Sequence, residues 1–207
     1  MNMKIATVRT FGEAADVVIR VWREASDPKL LRFEGFDGVG KSGLSKLVAS
    51  RIDAEHVESD KFAFRPETPT PYPGCLKQAE LDAAISAAFA SGKPVALDSV
   101  CLDEVAPSSS WGRGFVVYIK RLSFNSQNNP LWHPGFAIED EAPEDEPHRG
   151  IVLYHQRSKP HERADLIIEL PEEGHTISNS AFDRGGCSDP LGAEIICASA
   201  DKSPASI

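Results

Sequence analysis

The 207-residue sequence predicts a three-layer α/β/α domain with a parallel sheet of about five strands, and three observations predict it. Residues 35–42, Gly-Phe-Asp-Gly-Val-Gly-Lys-Ser, fit the phosphate-loop pattern GxxxxGK[ST] without a mismatch. Short apolar segments alternate with stretches of helical periodicity, as parallel strands joined by crossover helices require. Two of those segments lead into aspartates, Asp60 and Asp98, and right-handed crossovers bring all parallel strand tips to one edge, where ligands bind. Together these describe a P-loop NTPase architecture.

Residues 3–9 alternate weakly as a short strand, and Glu13 to Glu24 carries Ala14, Val17, Val18, Val21 and Trp22 at helical spacing. Residues 1–28 therefore form a strand and an amphipathic helix packed on the core, stopped by Asp27-Pro28. Leu30, Leu31 and Phe33 make the strand that enters the loop, and the loop helix runs from Lys41 to about Ile52. A second strand, Glu55 to Ser59, delivers Asp60 before a loop too rich in proline (Pro66, Pro69, Pro71, Pro73) for helix. Leu76 to Ala90 puts Leu81, Ala84, Ile85, Ala88 and Phe89 on one face, and Gly92 closes it before the third strand, Pro94 to Asp98. Phe115 to Ile119 is a fourth strand and Ala164 to Leu170 a fifth, with a helix-compatible segment, His148 to Lys159, between them. Residues 124–147 lack periodicity and read as a surface insertion. The loop domain thus covers 29–172, and 173–207 is an extension with one candidate edge strand, Glu194 to Ala198, and a frayed end.

Composition narrows the function. Net charge is −9, six of it from Glu139, Asp140, Glu141, Glu144, Asp145 and Glu146, so no basic face for nucleic acid is implied. No apolar run approaches the ~18 residues that span a bilayer and no signal-peptide core is present, so a cytoplasmic protein with no membrane association is expected. Cys75, Cys101, Cys187 and Cys197 lack metal or redox spacing and read as reduced, mostly buried thiols. The loop itself, Gly35, Phe36, Asp37, Gly38, Val39, Gly40, Lys41, Ser42 and Gly43, suits a nucleoside triphosphate. Its backbone N–H groups would cradle anionic oxygens, Lys41 would reach the β/γ-phosphates, and the Ser42 hydroxyl would bind Mg²⁺. Asp98 would hold Mg²⁺ from the third strand tip; the helix-Gly-Lys-Pro punctuation favours it over Asp103 and Glu104. No Asn-Lys-x-Asp guanine-reading motif appears, which argues against a GTPase.

Phe33-Glu-Gly-Phe-Asp-Gly-Val-Gly-Lys-Ser42 resembles the opening of uridine kinase-like and thymidylate kinase-like P-loop kinases, in which an aspartate inside the loop is typical. The resemblance continues at Glu58-Ser-Asp-Lys-Phe62, at Val95 to Leu102 and at Tyr154 to Ile168, in order over roughly residues 30–170. It implies an ATP-dependent kinase acting on a hydroxyl of a nucleoside or similar small molecule, with Asp60 as the carboxylate that contacts the acceptor. Arg157 and Arg163, with Lys159 between them, are candidate phosphate-binding cations because planar guanidinium groups pair with phosphate oxygens; solvated surface arginines are the plain alternative. Lys120 and Arg121 are further candidates, needed because Ser123 to Glu146 carries no Arg or Lys where the family has an arginine-rich lid. Gly43 also stands where a second hydroxyl residue is usual. The alternative reading is a P-loop ATPase or nucleotide-dependent binding protein in which Glu104 activates water.

Overall fold

Leu30–Glu34 (β2) is buried at all five positions, which a strand of only five residues achieves when both its faces and both its edges are covered. The computed structural model describes residues 3–26, 28–127, 130–133, 138, 141–171 and 194–197, the last four by their backbone. Along the chain, β1 (Lys4–Thr7) and α1 (Phe11–Glu24) precede β2; α2 (Lys41–Ile52), β3 (Glu55–Glu58), α3 (Gln78–Ala90) and β4 (Val95–Asp98) follow it. Two short helices, α4 (Leu102–Val105) and α5 (Ser108–Trp111), lead to β5 (Phe115–Phe124) and β6 (Pro130–Trp132). Then come α6 (His148–Ser158), α7 (Pro160–Arg163), β7 (Leu166–Pro171) and β8 (Glu194–Cys197).

The strands form one eight-stranded sheet in the order β3-β4-β2-β5-β7-β1-β8, with β6 paired to β5 off that path. The fold is α/β with a mostly parallel sheet: every pairing from β3 to β1 is parallel, and β8 and β6 join antiparallel. The expectation of about five strands is corrected by three additions. Strand β1 enters the sheet beside β7 instead of merely packing on the core, β8 is the edge strand expected at Glu194 to Ala198 and pairs with the other side of β1, and β6 forms a hairpin with β5 inside the stretch read as an insertion. Strand β5 also runs to Phe124, five residues beyond the expected end. The tail residues 172–193 and 198–207, Cys187, and Asp27, Glu139 and Asp140 lie outside the described residues.

Right-handed crossovers put α1 and α2 on one face, where they touch each other, and α3 with α4 to α6 on the other. Local chemistry fixes the ends of these helices. Thr10 Oγ1 accepts the Glu13 N–H at 3.1 Å while the Glu13 carboxylate accepts the Arg9 N–H at 2.7 Å, a reciprocal cap that starts α1. Asp53 ends α2 in the left-handed region, φ 54°. The core is continuous from Val17, Val18 and Val21 of α1 through Leu31 and Phe33 to Leu81 and Ile85 of α3. Each such side chain contributes roughly 1.5–3 kcal/mol on burial. The register then aligns the strand ends: Phe33 pairs with Asp98, so the last residue of β4 finishes one residue short of the end of β2 and of the glycine loop that follows it.

Candidate functional site

The glycine loop occupies the turn between β2 and α2. Gly35 (φ 151°) lies against the β5 backbone so tightly that a Cβ would come within 2.6 Å of the Ile119 oxygen. Gly40 (φ 97°) is the N-cap of α2. The helical ladder begins with Leu44 N–H on the Gly40 oxygen at 3.1 Å, so the N–H groups of Lys41, Ser42 and Gly43 have no intrahelical partner, and no side chain caps the helix. This first turn carries the positive end of the helix dipole, which suits an anion.

Lys41 folds across the loop and donates to the Phe36 oxygen at 2.7 Å. Burial pushes its ammonium below the ordinary lysine range, against the pull of Asp37, Asp60, Asp98 and Glu34. All four of these acids lie near enough to act on that one cation. Ser42 Oγ donates to Asp98 Oδ1 at 2.7 Å, and His56 Nε2 lies 2.7 Å from Asp98 Oδ2. Both oxygens of Asp98 are thus held by side chains of neighbouring elements, and β4 ends at Asp98 as the preferred register expects.

Asp60 sits just past the tip of β3, exposed, and accepts a hydrogen bond from Tyr72 Oη. Tyr72 Oη also lies 2.8 Å from Ser59 Oγ. Burial and the Asp60 carboxylate raise the Tyr72 pKa, so the phenol stays protonated and orients Asp60. Tyr72 is buried beneath this turn, with Phe62 half-buried and Phe64 exposed. Asp37 accepts from the Gly38 N–H at 2.8 Å, a local turn contact, and its other oxygen is 3.9 Å from His148 Nε2 of α6.

Two predicted cations pair with acids of α4. Arg157 pairs with Glu104, and Arg163 Nη2 lies 2.7 Å from Asp103 Oδ2, all four groups being at least a third exposed. The same pairing occupies the two acids of the water-activating alternative. Of the further candidates, Lys120 pairs with Glu169 at 3.3 Å and covers the Trp132 ring, whereas Arg121 Nε donates to the Val39 oxygen of the loop at 3.1 Å.

Sequence reasoning missed the layer beneath the loop. Glu34, the last residue of β2, is fully enclosed; its Oε1 accepts from Tyr154 Oη at 2.6 Å and from the Leu102 N–H at 3.1 Å. Desolvation raises its pKa to about 7, with Asp103 adding to the rise, although both hydrogen bonds and Arg32 oppose it. His155 stacks on Phe36 with ring centroids 4.1 Å apart and is pushed down to about 3, first by burial and then by Lys41. A neutral His155 donates from Nε2 to the Val100 oxygen at 3.0 Å and accepts from Tyr118 Oη at 3.2 Å. The available signal was the charge in β2: Arg32 and Glu34 alternate with apolar residues in a strand otherwise suited to full burial. His56 offered no such signal.

Among the described residues, no cluster of three or more His, Cys, Asp or Glu could hold a metal ion, and no helix is long and apolar enough to cross a membrane. Cys75 and Cys101 are buried free thiols. No protein-family model, curated protein or solved structure matches the chain.

Proposed function

We propose that the protein is an ATP-dependent small-molecule kinase of P-loop NTPase fold, similar to uridine kinase-like enzymes, that transfers the γ-phosphoryl group to an acceptor hydroxyl. The observation that carries the reading is the convergence on one edge of an uncapped glycine-loop helix, Lys41 across that loop, the Ser42–Asp98 pair at 2.7 Å and the Tyr72-oriented Asp60. Phosphoryl transfer asks for charge neutralisation and positioning plus one acceptor-side base, and these groups supply each. Ser42 Oγ and Asp98 are hard oxygen donors that fit Mg²⁺, which neutralises phosphate charge when bound. His56 orients Asp98 for that task. Lys41 neutralises phosphate oxygens from the protein side. Asp60 accepts the acceptor hydroxyl's proton as its oxygen attacks the γ-phosphorus and ADP leaves.

Water activation by Glu104 is the less supported route, because Arg157 neutralises that carboxylate on the surface of α4. Production of ADP across a panel of nucleosides and small hydroxyl metabolites tests the proposal. The expected result is acceptor-dependent ADP release, reduced ~10²- to 10⁴-fold in Asp60→Asn with ATP affinity little changed. Acceptor-independent release that survives Asp60→Asn and collapses in Glu104→Gln would refute it.

A further inference from the structure

Beyond the loop's own side chains, Arg121 of β5 is built into the same edge. It sits three residues past the last pairing of β5 with β2, at a position where β5 still pairs with Leu170 of β7 but no longer has β2 on its other side. Its guanidinium is a spanning group: Nε donates to the Val39 oxygen at 3.1 Å and Nη1 to the Pro171 oxygen, at the end of β7, at 3.2 Å. The plane lies near the Phe11 ring, with the guanidinium carbon 5.8 Å from the centroid. Gly40 makes the approach possible, since a Cβ there would meet Phe11 Cζ at 2.5 Å and stand 3.5 Å from Arg121 Nη2.

The peptide plane gives this contact a consequence. In a trans peptide the C=O and the following N–H point in opposite directions. Holding the Val39 oxygen on Arg121 therefore turns the Gly40 N–H away from the guanidinium, to the opposite side of that peptide, at the start of α2. We infer that Arg121 is a positioning residue that fixes the Gly40 N–H as a donor to the polyphosphate, and that losing its fork weakens phosphate binding specifically. The inference rests on the proposed nucleotide site. Lysine at this position would keep the charge but could not bridge Val39 and Pro171 through one rigid plane.

Calorimetric titration of wild type, Arg121→Gln and Arg121→Lys with MgATP, tripolyphosphate and adenosine provides the test, with urea midpoints recorded for each protein. Both variants are expected to lose roughly 10- to 100-fold in affinity for MgATP and for tripolyphosphate, the worth of one hydrogen bond to a charged group, without any parallel change for adenosine. Lysine restoring wild-type affinity, or unchanged affinity in both variants while wild type binds, would overturn the role of Arg121 and leave the nucleotide site standing. Wild type binding neither MgATP nor tripolyphosphate would overturn both. A measurement on wild type alone guards against variants that do not fold: tripolyphosphate should slow hydrogen exchange of the Gly40 amide, and no slowing on a bound complex refutes the inference.

Discussion

Replacing Glu34 by glutamine should change how stability depends on pH. The Glu34 pKa is raised from 4.5 to about 7, so between those values the folded protein keeps a proton that the unfolded chain releases. Its contribution is therefore greatest below pH 4.5 and is lost as pH rises towards 7, at about 1.4 kcal/mol per pH unit and about 3 kcal/mol in all. His155 acts in the opposite sense. Its pKa falls from 6.5 to about 3, so the unfolded chain takes up a proton that the folded protein refuses, and stability is lost as pH drops below 6.5. Between pH 4.5 and 6.5 the two slopes oppose each other, and wild type should be nearly indifferent to pH as far as these groups are concerned.

Glutamine retains an oxygen for Tyr154 Oη and the Leu102 N–H but cannot ionise. The variant should gain on wild type steadily from pH 4.5 to 7, by about 3 kcal/mol, and the difference should then stay constant. Urea unfolding followed by circular dichroism at pH 5 to 8.5 reads this directly. With an m-value on the order of 2 kcal/mol/M, the full effect displaces the midpoint by about 1.5 M. Any fixed cost of the new amide shifts every pH equally and drops out. A difference between the proteins that is the same at pH 5 and at pH 8 would refute a desolvated carboxyl beneath the loop.

Three further outcomes follow from the same contacts. Lys41→Ala should abolish turnover and weaken MgATP binding while leaving the loop backbone in place, as titration calorimetry and an ADP assay would register; full activity would remove the nucleotide site. Gly40→Ala should cost about 1–3 kcal/mol in urea unfolding, since it imposes φ 97° on a side chain whose Cβ meets Phe11 Cζ at 2.5 Å. Adding Phe11→Leu should return part of that loss, and no return would show that the backbone angle alone is responsible. Gly43→Ser, where a Cβ meets nothing within 4 Å, should raise stability by roughly 0.5 kcal/mol through helix propensity, with MgATP affinity retained; lost affinity would mean the space belongs to the ligand.

The parallel strands were readable because burial on both faces leaves few ways to write them: Leu30, Leu31 and Phe33, and Val95 to Leu97, are short apolar segments bounded by turn signals. The glycine loop was readable because its backbone needs glycine at fixed places, as the close approach at Gly35 and the positive φ at Gly40 show. What escaped was decided by partners distant in sequence. Lys120-Arg121 looks like the polar end of a strand, yet β5 continues through it because one cation finds Glu169 and Trp132 on one face and the other finds Val39 and Pro171 on the opposite face. Arg157 and Arg163 lie close in sequence to the last parallel strand, but spacing gives no direction and could not show that both pair with the acids of α4. Arg32 makes the same point inside the core. Its guanidinium is buried with only 1% exposure and donates to the oxygens of Leu102, Ala106 and Gly112 and to Ser108 Oγ. A buried charge of this kind is tolerable only when its donors are satisfied, and those acceptors, three carbonyls and a hydroxyl, belong to a segment 70 to 80 residues later. Arg32 and Glu34 alternate on β2 to face that segment, the first holding α4 and α5 in place and the second joining α4 and α6 to the base of the loop. The charges that looked out of place in the central strand are therefore what connects the sheet edge bearing the site to the helices packed behind it.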